Sequence, residues 1–205
     1  MNNVKQGKYS AANMEALRRP TLIVGIGGSA GALSAYKELL NAMPSNTGMA
    51  FVIISHMNPT AYSQLALILS RHTKMKVKIA SMAMPILANH VYVIPPNSDL
   101  FIENYKFKVV SPRSIGHKQI DVFFVSLAEA MGERAIGIIL SGYDGDGSEG
   151  CKHIKTHEGK IFAQDMSAEV DHMPLSAQAS GCVDFILPLN KIPEKLKSLA
   201  AALNI

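Results

Sequence analysis

Short, nearly continuous apolar runs alternate along the chain with longer stretches whose apolar residues recur every three or four positions. Thr21–Ile26 and Ala50–Ser55 are runs of the first kind, which is typical of strands buried on both faces of a parallel sheet. Between them, Ala32–Met43 carries its apolar residues at helical spacing. A strand, a helix and a second strand in this order predict a βαβ unit, which builds parallel sheets covered by helices.

The same alternation continues to the end of the chain. It predicts an α/β fold with a doubly wound, mostly parallel sheet, helices on both faces and a small antiparallel excursion. The excursion is expected where turn residues separate short strands, at His90–Ile94, Phe101–Ile102 and Phe107–Val110. The other predicted elements are helices at Ala61–His72, Asp121–Met131 (capped by Asp121), Ser148–Thr156 and Ile192–Leu203, and strands at Lys76–Ile79, Ala135–Leu140, Lys160–Ala163 and Val183–Leu187.

One domain over residues 21–205 accounts for this pattern, and residues 1–20 are predicted to be a polar N-terminal lead-in. The lead-in lacks the apolar core of a secretory signal, and no apolar run approaches the ~18 residues that a membrane span needs. We therefore expect a cytoplasmic protein without membrane insertion.

Composition narrows the classes of function. The net charge of +4 comes from 20 Lys and Arg against 16 Asp and Glu, the basic residues are dispersed and Trp is absent, so no nucleic-acid partner is expected. Cys151 and Cys182 are too few for a disulfide scaffold and lack zinc-binding spacing. They are expected to be free thiols in a reducing compartment.

Polar residues follow three of the predicted buried strands, at the sheet edge where α/β proteins bind their ligands. Ser29 follows the first strand, His56 follows the second, and Asp144 and Asp146 follow Ala135–Leu140. A serine, a histidine and a carboxylate are the members of a Ser-His-Asp triad, which a fold can assemble in any chain order. Spacing alone leaves open whether Asp144 or Asp146 is the third member, or whether either caps the following helix.

The glycine-rich turn around the serine allows two interpretations. Residues 27–31 (GGSAG) fit the G-x-S-x-G pattern, whose small neighbours let a serine lie on a sharp strand-to-helix turn. The alternative is a turn that binds a phosphate or a dinucleotide. That alternative is disfavoured because Ala30 occupies its third glycine position, and because Ser55 and His56 stand where an acidic ribose ligand is expected.

Two further patterns resemble metal sites. The loop of Asp144 and Asp146 lacks the third Asp or Asn and the later glutamate of a calcium-binding EF-hand loop. His153 and His157 are four residues apart on a predicted helix, but they lack the glutamate of H-E-x-x-H and a third ligand. We therefore expect neither a metal nor an organic cofactor.

Motifs spread from about Thr21 to Leu203 resemble the catalytic domain of the CheB family of chemotaxis receptor methylesterases. Residues 25–31 (GIGGSAG) are similar to the family's G-x-S-x-G-G segment, residues 55–57 (SHM) to its Q-H-M, and residues 141–147 (SGYDGDG) to its T-G-M-G-x-D-G. Residues 91–95, 120–124, 163–165 and 173–174 match in the same order. The combined order and spacing make the resemblance specific.

The resemblance implies an enzyme that hydrolyses glutamyl methyl esters on the cytoplasmic helices of methylated chemoreceptors, with glutamine deamidation as an additional reaction. It places the nucleophile at Ser29, the general base at His56 and the triad carboxylate at Asp146. It also implies that the backbone N–H groups of Ala30 and Tyr143 hold the oxyanion. No cofactor is implied.

This chain departs from the family pattern at three positions of the expected site. Tyr143 replaces a methionine, Asp144 replaces a glycine and Ala30 replaces a common threonine. Twenty residues before the domain cannot form the family's receiver domain, so we expect a stand-alone enzyme without phosphorylation control on the same chain. An esterase or amidase with another substrate, or a binding module without catalysis, are the alternatives.

Overall fold

Strands and helices alternate through residues 19–56, 64–114 and 116–203, which the computed structural model describes. The strands are β1 (Ile23–Gly28), β2 (Ala50–Ser55), β3 (Lys76–Ile79), β4 (His90–Val93), β5 (Asp99–Glu103), β6 (Lys106–Val110), β7 (Ala135–Ile139), β8 (Lys160–Gln164) and β9 (Phe185–Leu187). The α-helices are α1 (Ala32–Ala42), α2 (Leu65–Leu69), α3 (Gln119–Met131), α4 (Ser148–Thr156), α5 (His172–Ala179) and α6 (Ile192–Ala202).

Seven of the strands form one parallel sheet in the order β3-β4-β2-β1-β7-β8-β9. Strands β2, β3 and β4 lie on one side of β1. After the β5–β6 hairpin and α3, the chain forms β7, β8 and β9 on the other side of β1. This is the predicted doubly wound topology, and its switch point lies between β1 and β7. The loops that follow these two strands carry Ser29 and Asp146, and the adjacent strand β2 leads to His56.

The antiparallel excursion is smaller than predicted. It consists of β5 and β6 alone, which pair as a hairpin beside α3. The assignment of His90–Ile94 to this excursion is wrong, because β4 lies in the main sheet between β2 and β3. All four β4 residues are buried, which is typical of a strand in a parallel sheet covered on both faces.

Helix α3 begins earlier than predicted, and α5 is present where no helix was predicted. The helix predicted from Asp121 begins two residues earlier, at Gln119, because Asp121 does not cap it: its carboxylate instead accepts a hydrogen bond from the backbone N–H of Gly150, at 2.8 Å. Helix α5 was not predicted from the sequence, because it contains Pro174 and lacks a clear apolar stripe. Of the helix predicted at Ala61–His72, the structure shows α2, whereas residues 57–63 lie outside the described ranges.

Residues 1–18 of the predicted lead-in also lie outside the described ranges. Within those ranges, no helix combines the length and the apolar character that crossing a membrane requires.

The core has two layers, one on each face of the parallel sheet. Alternate residues of β1 divide between them: Ile23 packs with α3, whereas Val24 packs with α1 and α6. Glycines in β1 allow α3 to approach the sheet closely, since a Cβ atom at Gly27 would lie 2.6 Å from the side chain of Ile120. This close approach brings the first turn of α3 to the carboxyl edge of the sheet.

Candidate active site

Ser29 lies directly after β1, on the short turn that leads into α1. Its backbone N–H donates to the carbonyl of Ser141, at 2.9 Å, which ties this turn to the loop after β7. The turn is completed by Gly31, whose φ of 74° is a conformation that favours glycine. The half-buried Ser29 therefore lies close to the N-terminus of α1, where the helix dipole favours negative charge.

His56 lies on the neighbouring strand connection, immediately after β2. Strands β1 and β2 pair in parallel with Gly28 opposite Ser55, so Ser29 and His56 leave the sheet side by side at the same edge. The His56 side chain is only 7% exposed. Its ring orientation is consequently set by protein groups and not by solvent.

Asp146 holds one side of this ring. Its Oδ2 lies 2.7 Å from Nε2 of His56, and because a carboxylate only accepts, Nε2 carries the hydrogen. The backbone N–H groups of Ile120 and Asp121, in the first turn of α3, also donate to this carboxylate at 2.9 Å. Burial by itself raises the pKa of Asp146, but the His56 bond and the two N–H donors outweigh it and hold the pKa below its ordinary value.

Asp144 contacts the other side of the same ring. Its Oδ2 lies 3.1 Å from Nδ1 of His56, and its side chain is 41% exposed. The imidazole thus lies between two carboxylates, one buried and one open to solvent. Burial lowers the pKa of His56, whereas Asp146 and Asp144 both raise it, and the net pKa lies above the ordinary value for histidine.

Ser29 and His56 follow directly after the paired ends of β1 and β2, and within the described residues no hydrogen bond joins their side chains. Both ring nitrogens instead contact carboxylates. The structure therefore brings His56 and Asp146 into direct contact and leaves the Ser29 hydroxyl unbonded to the ring.

Two backbone N–H groups, one next to Ser29 and one in the loop after β7, have no hydrogen-bond acceptor among the described residues. Within the described ranges, those of Ala30 and Tyr143 make no hydrogen bond, whereas the flanking N–H groups of Ser29 and Gly142 do. The Tyr143 side chain is 68% exposed, and its ring meets the edge of His172 with centroids 6.2 Å apart. The tyrosine that replaces the family's methionine therefore points its bulk toward solvent.

Ser141, which was not among the residues predicted for the site, ties the serine turn to the loop after β7. Its hydroxyl donates to the carbonyl of Ala30 at 2.7 Å and accepts from the N–H of Val170 at 2.9 Å, while its carbonyl accepts from Ser29. It is 1% exposed. The sequence feature that could have indicated Ser141 is its position as a polar residue directly after a fully apolar strand.

A further histidine, His117, approaches the site from the loop before α3. Its ring meets that of His56 edge-on, with centroids 5.5 Å apart, and it is exposed. By contrast, His153 is exposed on α4 and the half-buried His157 directly follows this helix, where its ring bonds the His153 carbonyl at 2.9 Å.

Comparison with known proteins identifies a family that covers most of the chain. The model of the CheB methylesterase family matches residues 24–196. A relative from Leptospira interrogans, which carries the name protein-glutamate methylesterase/protein-glutamine glutaminase, is 35% identical over 173 residues, covering 82% of this chain and 90% of the relative. One of the same name from Hydrogenovibrio crunogenus is 32% identical and is matched over 86% of this chain but only 49% of its own length.

A solved structure agrees with this match. The crystal structure of the CheB methylesterase catalytic domain from Thermotoga maritima is similar with a TM-score of 0.80 and 29% sequence identity, covering 87% of this chain and 98% of that one. Sequence and fold give the same answer: the chain belongs to the CheB methylesterase family.

Proposed function

We propose that this protein is a protein-glutamate methylesterase that hydrolyses γ-glutamyl methyl esters on chemoreceptors, and that Ser29, His56 and Asp146 form its catalytic triad. The observation that carries the proposal is the 2.7 Å contact between His56 and the buried Asp146, at the sheet edge where Ser29 follows the adjacent strand. The names of the relatives support the substrate class.

The reaction begins with attack of Ser29 Oγ on the ester carbonyl, while His56 accepts the hydroxyl proton. Asp146 keeps the ring oriented and stabilises the imidazolium that forms. The tetrahedral intermediate collapses, the C–O bond to the methoxy group breaks, and His56 returns the proton so that methanol leaves. Water then attacks the acyl-enzyme with the same base, giving the glutamate side chain and free Ser29. Attack on a glutamine side chain would release ammonia by the same steps.

Asp144 determines when His56 can act as the base. Because Asp146 occupies Nε2, the nitrogen left to accept the Ser29 proton is Nδ1, and Asp144 contacts it at 3.1 Å. Proton acceptance therefore requires the carboxylate of Asp144 to move aside. Its side chain is 41% exposed, so solvent can receive it when a substrate enters.

The backbone N–H groups of Ala30 and Tyr143 are the proposed oxyanion donors. Both are unpartnered within the described ranges: Ala30 follows Ser29, Tyr143 belongs to the loop that the Ser29–Ser141 bond ties to the serine turn, and the N-terminus of α1 adds positive potential there. Removal of one such donor typically lowers the rate by ~10²–10³. A backbone donor survives the replacement of methionine by Tyr143, because every residue except proline supplies one.

The replacements at Tyr143 and Asp144 favour one alternative, a serine esterase or amidase of the same mechanism acting on another substrate. These two side chains change the shape and charge of the entrance while leaving the proposed triad intact. The two functions share one reaction mechanism and differ only in the substrate.

The test is mass spectrometry of methylated chemoreceptor cytoplasmic fragments after incubation with the purified protein. The proposal predicts loss of the methyl groups from glutamyl sites, and no loss with Ser29→Ala. Ser34→Ala is the matched control, because Ser34 is an exposed serine in the first turn of α1. Full activity of Ser29→Ala would contradict the triad, and cleavage of simple esters without demethylation would favour the alternative substrate.

A further inference from the structure

His56, His117 and Asp144 together present a set of metal-ligating atoms beside the proposed triad. One ring nitrogen from each histidine and one carboxylate oxygen of Asp144 all lie within 4.8 Å of one another. His117 is exposed and the side chain of Asp144 is 41% exposed, so an ion can reach the group from solvent without opening the fold.

The distance between two of these ligand atoms already suits a metal ion. Bonds of about 2.0–2.2 Å at tetrahedral angles place two ligand atoms about 3.3 Å apart. Nδ1 of His56 and Oδ2 of Asp144 are 3.1 Å apart, so both can bind one ion with little movement. His117 completes the set by a change of side-chain rotamer, which its exposed position permits. Two imidazoles and one carboxylate are a donor set that suits zinc and leaves a fourth position for water.

Asp146 supplies the support that a metal-binding histidine requires. Such a histidine almost always donates its second ring N–H to a carboxylate, which fixes the ring and makes the metal-binding nitrogen more basic. Nε2 of His56 makes this bond to Asp146, and Asp146 is in turn held by two backbone N–H groups of α3. The arrangement therefore combines a ligand held in place, His56, with the partly exposed carboxylate of Asp144.

We propose that His56, His117 and Asp144 bind a zinc-class divalent ion, and that this ion inhibits the esterase. The ion takes the lone pair of His56 Nδ1, so the ring can no longer accept the Ser29 proton. No bond in the substrate changes, and release of the ion restores the enzyme. The inhibition rests on the proposed esterase function, whereas the binding site does not.

Sequence alone gave no indication of this site. The three residues come from three separate loops, after β2, before α3 and after β7. Asp144 stands where the resemblance places a glycine, which has no side chain to offer a ligand. The site is therefore expected to be absent from relatives that keep that glycine.

Binding is tested first, without reference to activity. Cobalt(II) is added to chelator-treated protein, and its visible absorption reports the coordination geometry; zinc binding is measured by calorimetry. We expect one ion per chain with an intense low-symmetry cobalt spectrum, and weakening by about 100-fold or more in His117→Gln and in Asp144→Gly, since loss even of a supporting group costs 10–100-fold. His153→Gln is the matched control, because His153 is an exposed histidine on α4, and it should bind as the native protein does.

Inhibition is tested second, on the same variants. Each variant's ester hydrolysis in zinc is compared with its own rate in chelator, and the zinc concentration for half inhibition should rise about 100-fold in His117→Gln but not in His153→Gln. Binding that is unaffected by His117→Gln and Asp144→Gly would overturn the metal site. A protein that binds zinc as predicted but hydrolyses no ester would support the site and contradict the proposed function, so the two failures are distinguishable.

Discussion

The carboxylate of Asp144 lies 3.1 Å from Nδ1 of His56, on the side of the ring opposite its 2.7 Å contact with Asp146. With a hydrogen on Nε2, the neutral ring would present the lone pair of Nδ1 to this carboxylate. Burial lowers the pKa of His56, but the hydrogen bond with Asp146 raises it, and Asp144 raises it further because protonation removes this repulsion and creates an ion pair. The residue that replaces a family glycine thus acts directly on the proposed base.

Replacement of Asp144 by glycine should shift the pH dependence of catalysis. A base with a raised pKa is active above that pKa and loses activity as the pH falls through it. Loss of Asp144 lowers the pKa of His56, so the acidic limb of the kcat/KM profile should move to lower pH. The profile is measured in chelator, with Asp144→Asn as a control that removes the charge but keeps the size. A limb that stays in place or moves to higher pH would contradict this electrostatic role.

Asp146→Asn should reduce kcat by roughly 10⁴, the effect typical of a triad that loses the carboxylate fixing its histidine. The amide keeps the shape of the side chain, but its NH₂ group is a donor. It would face the His56 ring and the backbone N–H groups of α3, which are themselves donors. Circular dichroism checks that the variant is folded, and Asp165→Asn, an aspartate of another strand end, serves as the control. An unchanged kcat in folded Asp146→Asn would show that Asp146 is not part of the triad.

Ser141→Ala should lower both stability and kcat, because it leaves the Ala30 carbonyl and the Val170 N–H without their hydroxyl partner. An unsatisfied buried polar group destabilises a protein by about 1–3 kcal/mol. Ser141→Thr keeps the hydroxyl and should restore most of the activity. Denaturant unfolding and steady-state kinetics measure the two effects. Equal loss of activity in the alanine and threonine variants would indicate that the hydroxyl does not position the serine turn.

Gly31→Ala should destabilise the protein more than the strain of a positive φ alone would. A Cβ atom there would lie 2.5 Å from Oγ of Ser141, in addition to the strain of φ 74°. Gly181 has an almost identical φ of 75° with open space around it, so Gly181→Ala isolates the backbone strain of about 1–2 kcal/mol. We expect Gly31→Ala to be less stable than Gly181→Ala and to lose activity that Gly181→Ala keeps. Equal effects on unfolding and on kcat would contradict the clash.

Much of the fold could be predicted because local patterns and global topology agree. The apolar runs predicted β1 and β2. Because α/β proteins bind ligands beyond the carboxyl ends of their strands, the residues after these strands and after β7 were the site candidates: Ser29, His56, Asp144 and Asp146. Strand order could not be read from periodicity, so His90–Val93 was assigned to the wrong sheet: its short apolar run fits a hairpin and a buried parallel strand equally well.

The contacts of the site depend on distances between loops that are far apart in sequence. Spacing could not separate Asp144 from Asp146; only the fold shows that one is buried against α3 and the other is exposed. The approach of His117 to His56 was likewise invisible, because its position depends on how the loop before α3 packs.

The central claim is that Ser29, His56 and Asp146 act as one nucleophilic unit, and a serine-directed phosphonylating reagent tests it most directly. Mass spectrometry of the labelled protein should locate a single adduct on Ser29, with labelling slowed severely in His56→Gln and in Asp146→Asn. An adduct on another serine, or labelling of Ser29 at the native rate in His56→Gln, would contradict the account.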